Sequence, residues 1–281
     1  MALERVSTIL KMAEAASTAV IAFNCTDYNM VYSVVTAAEE QNKPVIITLY
    51  PEHVYLCNAA RPGAFAGMAK ALAESVTVPV GLHLDHSSDY DFIMDAISGG
   101  FTSVMYDGSM LPLEENIRLT RKIVDAAHKL GVDVEAELGH IGFAAHSTEE
   151  DLDTYTQPDV AARFCKETNV DSIAVAIGSA HGFYKETPKL DLHRLEEINA
   201  ATKVPLVLHG GSGIPNDQLE IAFTKGINKF NVGTEFFYLY YHAIKDYCDE
   251  NGDNGNVFDM PKYAQEKMME YLRVKLLLTK M

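Results

Sequence analysis

Basic residues are scarce in this chain. Lys and Arg total 23 against 39 Asp and Glu, for a formal net charge of -16 over 281 residues. No basic cluster exists, which excludes a nucleic-acid-binding face. An anionic ligand must therefore be held by backbone N–H groups and helix N-termini rather than by a basic field. Cys25, Cys57, Cys165 and Cys248 are scattered without a CxxC pair, so a disulfide framework is not expected and the thiols are read as reduced. No apolar run approaches the ~20 residues of a membrane span. Charges interrupt the apolar centre that a signal peptide would need near the N-terminus, so a cytoplasmic protein is expected. Lysine is also missing from the carboxyl ends of the predicted strands. Lys43, Lys203 and Lys229 sit at or near strand starts, toward the far rim, which disfavours a Schiff-base route.

What is present is a regular alternation. Apolar, β-branched runs at 19–24, 44–50, 78–86, 103–107, 132–138, 172–178, 204–209 and 227–232 predict eight strands. Their near-continuous apolarity suits parallel strands covered on both faces. Helical periodicity fills the intervals at 30–41, 65–75, 90–98, 112–130, 158–168, 192–201 and 215–225. Pro112, Pro158 and Pro215 mark helix starts, and Gly131 and Gly226 mark helix ends. Eight β-α units in one chain predict an α/β fold, a (β/α)8 TIM barrel forming a single domain over 1–281, with a C-terminal helical extension at 261–278. A doubly wound open sheet is the alternative.

In such barrels chemistry collects at the carboxyl ends of the strands. Every predicted end carries a polar residue: Asn24, Thr48, Asp85 with His86, Asp107, Glu137, Ser179 with His181, His209, and Asn231 with Thr234. Three histidines on one rim beside carboxylates predict a metal centre on His86, His181 and His209, and imidazole ligands favour zinc. Asp107 and Glu137 are candidates to orient ligands or to hold a second cation. His83 shares a strand face with Asp85 and is read as supporting a ligand. His53, His128, His146, His193 and His242 are read as mostly surface residues, and His140 follows a strand tip just beyond Glu137. Glycine-rich turns at His209-Gly210-Gly211-Ser212-Gly213 and Asn231-Val232-Gly233-Thr234 lead into helices and suit a phosphate. Gly182 follows His181 and can let backbone approach the same ligand.

These residues resemble the class II, zinc-dependent ketose-bisphosphate aldolases, a family that includes fructose- and tagatose-bisphosphate enzymes. The resemblance is carried by Leu82-His83-Leu84-Asp85-His86, the 103–109 segment ending Asp107-Gly108-Ser109, Glu135-Ala136-Glu137-Leu138-Gly139, Ser179-Ala180-His181-Gly182, the 205–213 segment and Asn231-Val232-Gly233-Thr234. It implies one catalytic zinc ion on His86, His181 and His209, with Asp107 and Glu137 matching an alternative site for a further divalent or monovalent cation. Asp85 would be the general acid/base. Asn24, Gly182, Gly210, Gly211, Ser212, Asn231, Val232, Gly233 and Thr234 would bind substrate. The implied reaction is reversible cleavage of a phosphorylated ketose, of the 1,6-bisphosphate type, to dihydroxyacetone phosphate and an aldehyde through a metal-stabilised ene-diolate. A homodimer or homotetramer is implied as well.

The chain departs from the family pattern in three places. The family's loop glutamate, which protonates the ene-diolate carbon, has no direct counterpart after Gly142, and Glu149, Glu150 and His146 are the candidates. Thr48-Leu49-Tyr50 stands where relatives often place Gln-x-Ser. Gly233 stands where some fructose-bisphosphate enzymes carry an aspartate. A zinc aldolase for a different phosphorylated keto-sugar or sugar acid, a metal hydrolase, and a catalytically retired binding subunit are the competing readings.

Overall fold

The structure, a computed structural model, describes residues 3–56, 58–139, 141 and 155–281. Eight parallel strands close on themselves in sequence order: β1 (Val20–Asn24), β2 (Val45–Leu49), β3 (Val80–Ser87), β4 (Ser103–Tyr106), β5 (Asp133–Leu138), β6 (Ser172–Val175), β7 (Leu206–Leu208) and β8 (Ile227–Val232). Pairing of β1 with both β2 and β8 closes the ring. The barrel, not the open sheet, is the fold.

Among the described residues the α-helices are α1 (Val6–Ala15), α2 (Tyr28–Gln41), α3 (Pro51–Leu56), α4 (Pro62–Ala73), α5 (Tyr90–Gly99), α6 (Leu113–Ala127), α7 (Pro158–Thr168), α8 (Leu192–Ala201), α9 (Asn216–Thr224), α10 (Thr234–Asn251) and α11 (Met260–Leu276). Two of these go beyond the helical pattern read from the sequence. The short α3 follows β2, and α1 precedes the barrel, whereas α10 is the helix expected after the Asn231–Thr234 turn. The apolar residues Val6, Ile9 and Leu10 of α1 pack against Val20, Ala22 and Ile46, closing the floor at the amino ends of the strands. Arg5 pairs with Asp133, and the Glu4 N–H donates to the Val80 carbonyl (2.8 Å), fixing the entry to α1.

Alternation along the strands separates two kinds of interior. Outward residues such as Ile21, Phe23, Ile47, Leu82, Leu84, Val134, Ile173, Leu206 and Phe230 join the main apolar core under the helices. Inward residues are largely polar above the floor: Thr48, His83, Asp85, Glu135, Glu137, His209, Lys229 and Asn231 are all buried. Val232 falls in the outward set, so its side chain sits in the core and not in the site. Lys229 is also misplaced by the sequence reading. It is an inward residue of β8, fully buried in the barrel's centre rather than at the far rim.

The C-terminal extension packs against α2 and α10. Ala264, Met268, Leu272 and Leu276 form its buried stripe. Leu272→Ala is expected to lower stability by about 2–5 kcal/mol, the usual effect of truncating a fully buried leucine. Urea unfolding followed by circular dichroism measures this, and a loss below about 1 kcal/mol would show that α11 is not integral to the core.

Candidate active site

Asp85 and His86 are neighbours on β3, and a regular strand would send them to opposite faces. Here the β3–β4 register shifts between Leu84 and Ser87, and His86 adopts a positive φ of 40°. That irregularity turns both side chains toward the carboxyl end of the barrel. The His86 N–H donates to Met105 Sδ (3.3 Å), which supports the bend.

His86, His181 and His209 converge from β3, the turn after β6 and the end of β7. One ring nitrogen from each lies within 4.8 Å of the others. His86 Nε2 and His209 Nδ1 are 2.6 Å apart. The opposite nitrogens are held by carboxylates: His86 Nδ1 by Asp107 Oδ2 (2.9 Å) and His209 Nε2 by Glu135 Oε1 (2.8 Å). Such carboxylate–imidazole pairs set ring orientation and make the free nitrogen a better ligand. Burial pushes the pKa of His181 down to about 3 and lowers that of His209, which keeps their lone pairs available. Burial also disfavours the charged form of His86, yet Asp85, Asp107 and Glu137 outweigh it and raise the ring to about 9.

Glu137 faces the same centre, with Oε2 at 3.7 Å from His86 Nδ1 and 4.0 Å from His209 Nδ1. That oxygen is buried without a hydrogen-bond partner, and burial raises the Glu137 pKa to about 8. With Asp107 and His86 it makes a second group of atoms close enough to share a cation. An unpartnered buried carboxylate oxygen beside clustered imidazoles is the electrostatic environment a divalent ion satisfies. The residues present therefore fit a metal ion.

Asp85 is buried between two amides. Asn24 Nδ2 donates to Oδ2 (2.8 Å) and Asn231 Nδ2 donates to Oδ1 (3.0 Å). Burial opposes its ionisation, but His86, His209 and Lys229 more than compensate, holding it well below the usual carboxylate range. Asn24 and Asn231, read from the sequence as substrate contacts, thus also position this carboxylate.

Asn24, Asp85, His86, Asp107, Glu137 and His181 line a cavity of about 890 Å³, a size usual for small-molecule sites, while His209 is fully buried. Gly182, Gly210, Gly211, Ser212, Asn231, Gly233 and Thr234 line it too. Two of the glycines are obligatory. A Cβ on Gly210 would sit 2.3 Å from the Ala180 carbonyl oxygen, and one on Gly211 would sit 2.0 Å from the Phe230 ring. Only glycine lets this turn pack so closely against Ala180 and Phe230.

A family model described as fructose-bisphosphate aldolase class-II matches residues 4–280. The chain belongs to the class II fructose-bisphosphate aldolase family. It is accordingly an aldolase, a carbon–carbon lyase. A fructose-bisphosphate aldolase of Geobacillus stearothermophilus is 39% identical over 246 residues, covering 85% of this chain and 83% of that protein. One from Staphylococcus epidermidis is 36% identical over 263 residues, covering 90% and 89%. Among solved structures, the YdjI aldolase of Escherichia coli K12 superposes with a TM-score of 0.87 at 35% identity, covering 99% of this chain and 97% of that one.

Against this aldolase frame, several residues read differently from the sequence expectation. His83 touches none of the three clustered histidines through a hydrogen bond. Its Nδ1 contacts Ser103 Oγ (2.8 Å), and its Nε2 lies 3.8 Å from Oε2 of Glu135, the carboxylate that holds His209. Glu135 was overlooked, although its place two residues before Glu137 puts both on one strand face. It is fully buried and also paired with Lys229 Nζ (2.9 and 3.1 Å). His53 is not a surface residue, because it lines the cavity between Tyr50 and Phe237, with ring centroids 5.2 and 4.8 Å away. His128 pairs with Asp171 (2.8 Å) and His193 with Glu197 (3.6 Å) outside the cavity. His242 packs against Tyr238 and Tyr241, also outside it. His140, His146, Glu149 and Glu150 lie outside the described residues.

Lys229 is the counter-charge that lets Glu135 stay ionised in the barrel. Lys229→Met is expected to cost about 3–5 kcal/mol by leaving a buried carboxylate unpaired, and adding Glu135→Gln is expected to restore part of it. Urea unfolding of the single and double variants tests this. A single-variant loss below about 1 kcal/mol would contradict the pairing.

Proposed function

We propose that this chain, acting as one domain over 1–281, catalyses the reversible, zinc-dependent cleavage of a phosphorylated ketose to dihydroxyacetone phosphate and an aldehyde. The observation that carries the proposal is the convergence of three imidazoles from distant strands within 4.8 Å, with Asp85 held alongside by two amides. His86, His181 and His209 would hold the ion, which supplies Lewis acidity for polarising the ketone and stabilising negative charge on the departing three-carbon fragment. Asp107 and Glu137 serve as orienting carboxylates or as holders of a second cation.

The chain's own residues divide the remaining work. The turns at Gly210, Gly211 and Ser212 and at Gly233 and Thr234, with Gly182, take the phosphate through backbone N–H groups. Support comes from the absence of Lys and Arg among the described residues that line the cavity. Asn24 and Asn231 hold both Asp85 oxygens, so the carboxylate is fixed before substrate arrives. In cleavage, the bond between C3 and C4 breaks. The C4 hydroxyl proton passes to Asp85, the C4–O bond becomes the aldehyde carbonyl, and the electron pair stays on C3. Protonation of C3 is assigned to the acids of segment 142–154, with Glu149 and Glu150 as candidates. In condensation, Asp85 returns its proton to the new hydroxyl.

The protein is proposed to work in the cytoplasm as a homodimer or homotetramer. Exposed Val257, Phe258, Val274 and Leu277 near the C-terminus offer apolar contact surface for the assembly.

Asp85→Ala is expected to retain the bound metal and lose turnover by about 10²- to 10⁴-fold, the range for removing a general acid/base. Metal content by mass spectrometry and a triose-phosphate-coupled assay read the two effects separately, and normal cleavage by the variant would refute the role. A strong chelator is expected to abolish activity, with recovery on adding zinc. Borohydride with substrate should leave activity intact, whereas borohydride inactivation would indicate a lysine imine.

A further inference from the structure

On the aldolase reading, one half of the substrate leaves as the aldehyde. The glycine turns that suit a phosphate follow β7 and β8. Across the closed ring lie β3 and β4, with β2 beside them. The tips of β2 and β3 supply Glu52, Tyr55, Asp89 and Phe92 to the same cavity. The aldehyde half must extend toward this arc.

Among the described residues, that arc offers an anion neutral hydroxyls and an imidazole but no cation. No Lys or Arg occurs among the described lining residues. The helix N-termini on this side already face carboxylates. Asp89 caps α5 by accepting from the Asp91 N–H (2.9 Å) and the Phe92 N–H (3.2 Å). Glu52, which lines the cavity, sits in the first turn of α3. Opposite them, α10 opens on Gly233 with no side-chain cap, and its first-turn Glu235 is drawn away to Lys275 (2.7 Å) and Tyr271. One end of the cavity is prepared for a phosphate and the other is not.

A phosphate brought against Glu52 and Asp89 would meet like charge, with only neutral donors such as Tyr50, His53 and Ser88 nearby and no cation to offset it. Sugar hydroxyls fit the same groups, since carboxylates accept their hydrogen bonds. The neighbouring rings of Tyr55 and Phe92, 5.5 Å between centroids, offer apolar faces to the carbon chain. We infer that the aldehyde half is an uncharged polyhydroxy aldehyde, so that the ketose carries one phosphate, on the end bound by the glycine turns. This replaces the 1,6-bisphosphate type implied by the family resemblance, and it rests on the aldolase reading.

The test uses the full-length, metal-loaded enzyme. Exchange of a C3 proton of dihydroxyacetone phosphate with D2O, followed by NMR without any aldehyde, checks the aldolase reading alone. Condensation kinetics with D- and L-glyceraldehyde are then compared with those for glyceraldehyde 3-phosphate. The expected kcat/KM ratio favours the better neutral aldehyde by about tenfold or more. A ratio at or below one, with exchange intact, overturns the inference and leaves the aldolase reading standing. Absence of exchange overturns both. Glu52→Arg is expected to move the ratio toward the phosphorylated aldehyde by about tenfold. An unchanged ratio in that variant removes Glu52 from the specificity assigned to it.

Discussion

Two adjacent residues of one strand have to look the same way, and the strand geometry forbids it unless the backbone bends. β3 meets this demand with a register shift and a left-handed residue at His86. Such a conformation at a non-glycine residue costs on the order of 1–3 kcal/mol and persists only where surroundings hold it. Here Asp107 grips the imidazole and Met105 accepts the His86 N–H. The bend puts Asp85 between its two asparagines while His86 reaches His209. A straight β3 would keep one of these groups and turn the other into the apolar layer under the helices.

The inward layer beneath the site explains why the geometry stays fixed. Glu135 accepts from Lys229 and also contacts His209, so one buried carboxylate links the barrel's centre to a metal-facing ring. Buried charges are tolerated when each has a partner. The same logic orders the rim, where Asp107 serves His86, and Asn24 and Asn231 serve Asp85. The site is an arrangement of carboxylates each already committed to a neighbour. Glu137 is committed through one oxygen only, which accepts from the Ile141 N–H (3.4 Å), while the other is buried without a hydrogen-bond partner beside the imidazoles.

The barrel was readable because its strands are apolar and its helices periodic, and Ile227–Val232 and Leu192–Ala201 match their sequence reading to the residue. The three histidines and Asp85 were readable because polar residues end every strand. What escaped were groups whose meaning depends on depth. Lys229 lies two residues into its strand, and nothing local distinguishes an inward lysine near the centre from one at the rim. His53 starts no motif, and only the packing of α3 against Phe237 of α10 brings it to the cavity. Val232 was included because its neighbours Asn231 and Gly233 belong to the turn, although strand alternation already sends its side chain outward. The helix α1 resembles any short amphipathic stretch until the floor it covers is known.

That floor governs traffic. With α1 seated under the strands, the cavity among the described residues opens at the end where the histidines converge. A reaction that makes two molecules from one must send both out the same way. On the proposed reading, both fragments leave through the mouth by which the ketose entered. A helix that lines no part of the cavity thereby sets the direction of exit.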